Sequence, residues 1–234
     1  DQDITELSEL DDIANEVSSL DLSNNFISSL AGISRFYKLE SLIFRNNTIT
    51  AVNDDFRDMP FLREVDLSFN ELLKSVGDFA FFSLPSLEYI SFADCSELEW
   101  FGHRSVYDSY SLNEIDFSFT KIKALSEHLT TYCPSLRSIV LDGIDISCSC
   151  LNTWMFETKV VQMPEDNNCD YGELKKIDIC APILIPHDEV SVIEGEELFI
   201  RCLALGEPTV TVRLFDQDDN VVGYRKGKDN QRVV

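Results

Sequence analysis

Cysteine is the residue type whose spacing in this chain points most clearly to chemistry. The stretch DISCSCLNTW places Cys148 and Cys150 one residue apart, and Cys169 and Cys180 follow. Four clustered cysteines form either disulfides or a zinc site. Structural zinc usually takes two pairs of cysteines, and the members of each pair lie closer together than Cys169 and Cys180. A Cys148–Cys150 bridge is geometrically poor, so two disulfide pairings remain open.

Other kinds of chemistry have little support in the sequence. No H-E-x-x-H, G-x-S-x-G or phosphate-loop motif occurs, and the histidines lack metal-ligand spacing. The formal net charge of -23 disfavours nucleic-acid binding, because phosphates would be repelled. The sequence contains no run of about 18 apolar residues, so it predicts no membrane span. We therefore expect no cofactor and no enzyme activity, and membrane attachment only through a segment outside this chain.

Six segments between residues 17 and 146 repeat one apolar pattern. Apolar residues at an anchor and two positions later alternate with polar ones, which predicts a short strand with one buried face. One such strand cannot bury its face alone, so we expect the strands to stack in parallel. The anchors recur every 22 to 25 residues, at Leu20, Leu42, Val65, Ile90, Ile115 and Ile139. A second apolar series should line the outer wall: Ile33, Phe36, Leu39, Phe56, Met59, Leu62, Phe81, Leu84 and Leu87.

This pattern resembles the leucine-rich repeat family. The resemblance implies an α/β solenoid with parallel strands on its concave face, preceded by a lead or partial cap at residues 1–16. Five residues past the anchor, the family places an Asn whose amide bonds the backbone of adjoining turns. That slot holds Asn25, Asn47, Asn70, Cys95, Thr120 and Ile144, so the Asn ladder should weaken toward the C-terminus. Cys95 and Cys133 are expected to be buried, reduced thiols.

The cysteine cluster would cover the end of the solenoid. An open last repeat exposes a sheet edge and the core, and a short cap needs covalent support. Residues 147–182 resemble the cysteine-flanked C-terminal cap of extracellular leucine-rich-repeat proteins. The resemblance implies that Cys148 pairs with Cys169 and Cys150 with Cys180.

Disulfides in turn predict the compartment. They persist in oxidising surroundings, so the protein is expected to be secreted or displayed on a cell surface. The sequon N-N-T at Asn46 is consistent with glycosylation there.

The pattern changes after the cap, at residues 183–234. Alternating apolar and polar residues around Cys202 resemble the first strands of an all-β immunoglobulin-like sandwich. Leu214 stands where a buried Trp normally packs in that family. About 50 residues remain, against about 100 for such a domain. We therefore expect an incomplete domain, with the partner of Cys202 beyond the chain end.

Polar and aromatic residues on the predicted concave face are candidate contacts for a partner. The acidic ones can equally be ordinary consensus residues of the repeat. Phe69 and Phe119 stand at matched positions two repeats apart, and they either form a contact site or pack together under the intervening turn. The candidates are Asp21, Arg45, Asp66, Phe69, Tyr89, Asp116 and Phe119.

The order of repeats, cysteine cap and immunoglobulin start resembles cell-surface proteins that combine both domain types. It implies a protein-binding ectodomain for cell–cell recognition, adhesion or receptor modulation, with the ligand bound mainly by the repeats. One alternative is the ligand-binding ectodomain of a Trk-like receptor kinase, and another is a secreted matrix protein. The expected partner is another extracellular or cell-surface protein, with a homodimer left open.

Overall fold

The computed structural model describes residues 3–164, 167, 169–174, 176, 183–185, 203–205, 211–215 and 221–226. The chain divides into two compact units. One unit contains Asp1–Ser147 and Trp154–Cys169, and the other contains Cys148–Thr153 and Asp170–Val234.

Short strands separated by turns make up the first unit. A 3-10 helix at Leu7–Ile13 precedes them, and another lies at Ile33–Arg35. Two short α-helices are α1 (His128–Tyr132) and α2 (Thr153–Glu157), the latter beginning at the boundary with the second unit. In chain order the strands are β1 (Ser19–Asp21), β2 (Ser41–Ile43), β3 (Ala51–Val52), β4 (Glu64–Asp66), β5 (Ser75–Val76), β6 (Tyr89–Ser91), β7 (Trp100–Phe101), β8 (Glu114–Asp116), β9 (Ser138–Val140) and β10 (Val161–Gln162).

A parallel sheet of seven strands runs through this unit in the order β1-β2-β4-β6-β8-β9-β10. The six anchors predicted from the repeat spacing pair directly along it, from Leu20 beside Leu42 to Ile115 beside Ile139. The solenoid with parallel strands is therefore confirmed. The last strand, β10, extends the sheet beyond the repeats, with Val161 beside Ile139.

The second apolar series of the repeats lies inside the solenoid, as expected. Two of its phenylalanines, Phe56 and Phe81, stack across neighbouring repeats with their ring centroids 4.9 Å apart. Phe92 and Phe117, two positions after their anchors, stack at 5.5 Å. Both apolar series thus form one continuous core.

A second sheet joins β3, β5 and β7 in parallel, so successive repeats also pair outside the main sheet. Its strands have two residues each, which is too short for an alternating pattern to be recognised in the sequence.

Buried asparagine amides join the repeats from inside. The Asn47 side chain donates to the carbonyl oxygen of Leu22 at 2.9 Å and accepts from the amide of Ile27 at 3.1 Å. Asn25 accepts from the amide of Ile4 at 3.1 Å, so the N-terminal lead occupies the place of a preceding repeat. Each amide satisfies backbone groups that water cannot reach.

The ladder changes chemistry at the fourth repeat. Asn70 donates to the carbonyl oxygen of Phe44 at 3.0 Å, and the Cys95 thiol makes the equivalent contact with the Leu67 oxygen at 3.2 Å. In the next slot the buried Thr120 hydroxyl has no hydrogen-bond partner among the described residues. The expected weakening of the ladder toward the C-terminus is therefore observed at Thr120, one slot later than the first departure from Asn.

The second unit contains a 3-10 helix at Cys150–Asn152, helix α3 (Tyr171–Leu174) and four further strands. These are β11 (Ile183–Ile185), β12 (Leu203–Leu205), β13 (Thr211–Phe215) and β14 (Val221–Lys226). β11 pairs with β12 and β13 with β14, both antiparallel. Among the described residues these pairs form two separate two-stranded sheets, so the immunoglobulin-like sandwich remains a prediction.

Candidate functional site

Disulfides account for three of the four clustered cysteines. Cys148, Cys150 and Cys169 are each disulfide-bonded. A sulfur held in a disulfide cannot serve as a zinc thiolate, so the zinc alternative fails for these three residues. Cys180 and Cys202 lie outside the described residues, and the two predicted pairings and the missing partner of Cys202 stay predictions. Among the residues that the structure describes, no group of three or more His, Cys, Asp or Glu side chains could hold a metal ion.

Three aspartates at strand ends serve local turns. The carboxylates of Asp21, Asp66 and Asp116 each accept the backbone N–H two residues later, at 2.8 to 3.0 Å. The bonds from Ser23 lower the pKa of Asp21. This recurrent turn supports the interpretation of these aspartates as consensus residues of the repeat. In the sheet register the uncharged Ile43 and Ser91 stand between them.

Arg45 and Asp66 form an ion pair across neighbouring strands. Both Nε and Nη2 of Arg45 lie 2.6 Å from Oδ2 of Asp66. Asp66 is only 2% exposed, and its other oxygen accepts from the hydroxyl of Ser68 at 2.6 Å. The hydrogen bond to Asp66 raises the pKa of Arg45. Asp66 therefore holds the exposed Arg45 in place and presents almost no surface of its own.

Tyr89 and Asp116 lie further along the same sheet and are half-buried. Burial raises the pKa of the Tyr89 hydroxyl, so the ring stays neutral at physiological pH. Tyr89 pairs in register with Glu64 and Glu114, which places it between two acidic side chains.

One slot, four residues after each anchor, has a left-handed backbone in all six repeats. Asn, Asp and Gly tolerate this conformation, whereas a bulky residue is rare there. Phe69 and Phe119 nonetheless occupy it in the third and fifth repeats. The φ angles are 58° at Asn24, 51° at Asn46, 59° at Phe69, 59° at Asp94, 58° at Phe119 and 68° at Gly143.

The two phenylalanines of this slot are exposed, Phe69 by 48% and Phe119 by 55%. Neither ring contacts another aromatic ring within the described part of the chain, so the alternative that they pack together does not hold. The Phe119 ring lies over Gly143, where an added Cβ would come within 2.4 Å of Cδ1. The slot therefore holds one ring against the next repeat and leaves its outer face in solvent.

Asn46, the predicted glycosylation site, occupies the same slot in the second repeat. Its side chain is exposed and donates to Oδ1 of Asn24 at 2.9 Å. A glycan attached there would project from the row of residues that contains Phe69 and Phe119.

The structure also shows an aromatic cluster on the outer turns that the sequence reasoning missed. The rings of Phe82 and Tyr107 stack 6.0 Å apart, and Phe79 meets Phe82 edge to face at 5.7 Å. Phe82 and Tyr107 stand 25 residues apart, and that repeat spacing was the signal that could have revealed the cluster. Within the described ranges, no helix is long and apolar enough to cross a bilayer.

Comparison with known proteins shows similarity to repeats in the N-terminal part of the chain. Residues 15–72 match the family model described as leucine rich repeat. Leucine-rich repeat-containing protein 36 of Homo sapiens and that of Mus musculus are each 35% identical over 78 residues, 32% of this chain and 10% of the relative. The chain thus spans about a tenth of the length of these relatives.

Solved structures show weaker likeness. Human 5T4, the trophoblast glycoprotein, is 18% identical over 62% of this chain and 78% of that chain, with a TM-score of 0.27. The functional domain of InlJ from Listeria monocytogenes is 14% identical over 93% and 57%, with a TM-score of 0.30. Because these TM-scores are low, the fold of the repeats is assigned from the strand register and the family match alone. The match to leucine-rich repeats therefore covers residues 15–72, and the same parallel strand register continues from there to β10.

Proposed function

We propose that this chain is a protein-binding ectodomain that acts outside the cell in recognition, adhesion or receptor modulation. The repeat sheet would bind another extracellular or cell-surface protein. The observation that carries the proposal is the pair of exposed phenylalanines in the left-handed slot, Phe69 and Phe119.

Backbone strain supports a binding role for these rings. A residue with a Cβ loses about 1–2 kcal/mol in the left-handed region, and Asn relieves part of that cost by local hydrogen bonding. The first two repeats have Asn in this slot, so the fold itself does not require Phe there. Strained residues that the fold does not need are candidates for function.

Spacing and charge suggest what the partner presents. Phe69 and Phe119 lie two strands apart, so about 10 Å separates their backbones, and Asp94 stands between them. We call these three residues the phenylalanine edge. Two apolar faces around a carboxylate fit a partner segment with apolar side chains and one basic group. Arg45, held by Asp66, would add a cation beside this edge.

The disulfides support the extracellular compartment. Three of the four clustered cysteines are bonded, and such bonds persist in oxidising surroundings. A glycan on Asn46 would fit that compartment. In this proposal the four cysteines pair as Cys148–Cys169 and Cys150–Cys180, and the immunoglobulin-like segment at 183–234 acts as a spacer or second contact.

Two alternatives concern the parent protein. In the ectodomain of a Trk-like receptor kinase, partner binding would dimerise an enzyme outside this chain, and the repeats themselves would still lack activity. A secreted matrix protein would have no saturable cell-surface partner. A matrix protein does not require the exposed phenylalanines. A Trk-like ectodomain would also bind its partner through the repeats, so it is a special case of the binding ectodomain proposed here.

The test is a binding screen of the secreted protein against a library of extracellular domains. Wild type should capture a saturable partner, and the double change Phe69→Asn with Phe119→Asn should weaken that binding by about tenfold or more. Asn fits the slot, so the fold should survive. The matched control is Phe61→Asn, because Phe61 is also exposed but precedes β4, at the other end of the strands.

The control should bind like wild type. If the double variant also binds like wild type, the phenylalanine edge is not the contact. If no saturable partner is captured, the matrix alternative gains support.

A further inference from the structure

We propose a second protein-binding site on the outer turns, a cleft that takes an extended apolar segment of another protein carrying one basic residue. This outer cleft has a volume of about 740 Å³, within the range of sites that bind ligands. Residues on the turns after β3 and β5 line it, among them Asp54, Asp58, Pro60, Phe79, Phe82 and Pro85.

Matching turns of consecutive repeats build the cleft. Asp58 and Ser83, 25 residues apart, both have a left-handed backbone, with φ of 56° and 54°. Phe79 is left-handed as well, at 63°, although its bulk disfavours that region. The amides of Phe79 and Ser83 donate to carbonyl oxygens of the following repeat at 3.2 and 3.0 Å. The cleft is therefore a built part of the solenoid wall.

The aromatic floor is held in place before any partner binds. Phe79 meets Phe82 edge to face, and Phe82 stacks on Tyr107 with an angle of 9° between the rings. Tyr107 in turn contacts Tyr132 at 4.9 Å. Phe79, Phe82 and Tyr107 still have between 36% and 41% of their surface exposed. Rings fixed in this way bind apolar groups with little loss of side-chain entropy.

The row of rings also sets the size of the occupant. It continues from Phe79 and Phe82 through Tyr107 to Tyr132, and so crosses successive repeats. A small molecule would cover only part of that row, whereas an extended peptide can follow it. Proline and aliphatic side chains are suited to such aromatic surfaces.

The charge of the cleft favours a basic residue in the bound peptide. Asp54 is paired with Arg57, while Asp58 makes no ion pair in the part of the chain that the structure describes. One uncompensated carboxylate beside exposed ring faces favours a Lys or Arg, which can contact both. A second copy of this chain is disfavoured, because the formal net charge of -23 makes two copies repel.

The test selects peptides from a library of extended sequences with alternate prolines and random residues between them. Selected peptides should carry a Lys or Arg among apolar residues and should bind wild type saturably. Phe82→Arg should weaken them by about tenfold or more, because Arg57 occupies the same repeat position and the fold should accept it. Asp58→Asn keeps a residue that tolerates the left-handed turn. It should weaken the basic peptides by about fivefold and leave versions with Gln in place of the basic residue unchanged.

Controls separate this site from the phenylalanine edge. Phe69→Asn and Phe26→Ala should leave peptide binding unchanged, since neither residue lines the cleft. Selection of peptides without basic residues, or equal binding by Phe82→Arg, would overturn the proposal. Equally tight binding of arginine amide alone would also overturn it, by showing a small-molecule site instead.

Discussion

The left-handed slot shows how one backbone conformation accommodates two different kinds of residue. In four repeats it holds Asn, Asp or Gly, the residues that adopt this backbone at least cost. In the other two repeats, Phe69 and Phe119 adopt the same backbone at some cost in stability, and each exposes an aromatic ring. Phe119 recovers part of that loss by packing on Gly143. Phe69 is therefore the better position for measuring the cost of the left-handed backbone.

Phe69→Asn should raise the free energy of unfolding by about 1 kcal/mol, because Asn relieves the left-handed strain. Urea denaturation followed by circular dichroism measures it. The same substitution at the exposed Phe61, which has no positive φ, should bring no such gain. A lower midpoint for Phe69→Asn than for wild type would contradict the strain argument.

Asn47→Ala should destabilise the protein by about 1–3 kcal/mol, since buried backbone groups that the amide satisfies would lose their partner. The contrasting change is Thr120→Val. Its hydroxyl is buried and has no partner in the described part of the chain, so removing it should leave stability equal or higher. Denaturant midpoints measure both changes. Equal changes in the free energy of unfolding for the two substitutions would contradict the importance of the hydrogen bonds that Asn47 makes.

Cys95 and Cys133 are free, buried thiols. Burial raises the pKa of each from 9.0 to about 12. Iodoacetamide at pH 8 should therefore leave both unmodified in the folded protein and alkylate them in urea. Modification of the folded protein at the rate of the unfolded chain would show that the thiols are accessible.

The same shift has a consequence for stability. Above pH 9 the unfolded chain ionises these thiols while the folded protein keeps them protonated. Their contribution to stability is therefore complete below pH 9 and falls as the pH rises toward 12.

Among the elements, the end of the main sheet depends on the segment after the repeats. β10 contributes only Val161 and Gln162, yet it covers β9, and the Ile139 amide donates to the Val160 oxygen at 2.8 Å. Trp154 of α2 donates from Nε1 to the Leu125 oxygen at 3.0 Å. A strand and a short helix thus cover the edge of the last repeat, which would otherwise be exposed. They lie in the region where the sequence predicted a cap.

A non-reducing peptide map by mass spectrometry should show Cys148 joined to Cys169 and Cys150 to Cys180, with Cys95 and Cys133 free. The pairing follows from the family resemblance, and the structure shows that three of the four are bonded. The map of a reduced sample is the control, in which all linked peptides should separate. Cys148 joined to Cys180 instead would reject the predicted pairing while keeping the disulfide assignment.

At the level of the whole molecule, the net charge favours a basic partner for the proposed binding function. The formal net charge is -23, and the acidic residues of the repeat sheet far outnumber its basic ones. Long-range attraction would then speed association with a basic partner and would be screened by salt.

The dissociation constant for a partner found in the screen should rise about three- to tenfold between about 50 and 300 mM NaCl, because salt screens the attraction. Surface plasmon resonance at several salt concentrations measures it, and most of the change should fall on the association rate. An association rate independent of salt would argue that the acidic surface takes no part in binding.

Much of the fold could be predicted from the order of residues, because a solenoid is built from local units. Each repeat must bury its own anchor against its neighbours, so the spacing of Leu20, Leu42 and the later anchors predicted the strand register. The sequence did not reveal β10 or the second sheet. Strands of two residues are too short for a periodic pattern, so only the backbone pairing in the folded chain reveals them.

The proposed binding surfaces could be recognised only from the folded chain. Arg45 and Asp66 are 21 residues apart, and only the strand pairing shows that Asp66 is buried beneath the cation instead of facing a partner. The stacking of Phe82 on Tyr107 likewise depends on how two outer turns meet. Residue type and spacing indicate which side chains share a face. Their exposure and contacts depend on turn geometry and on neighbouring repeats, which no single repeat encodes.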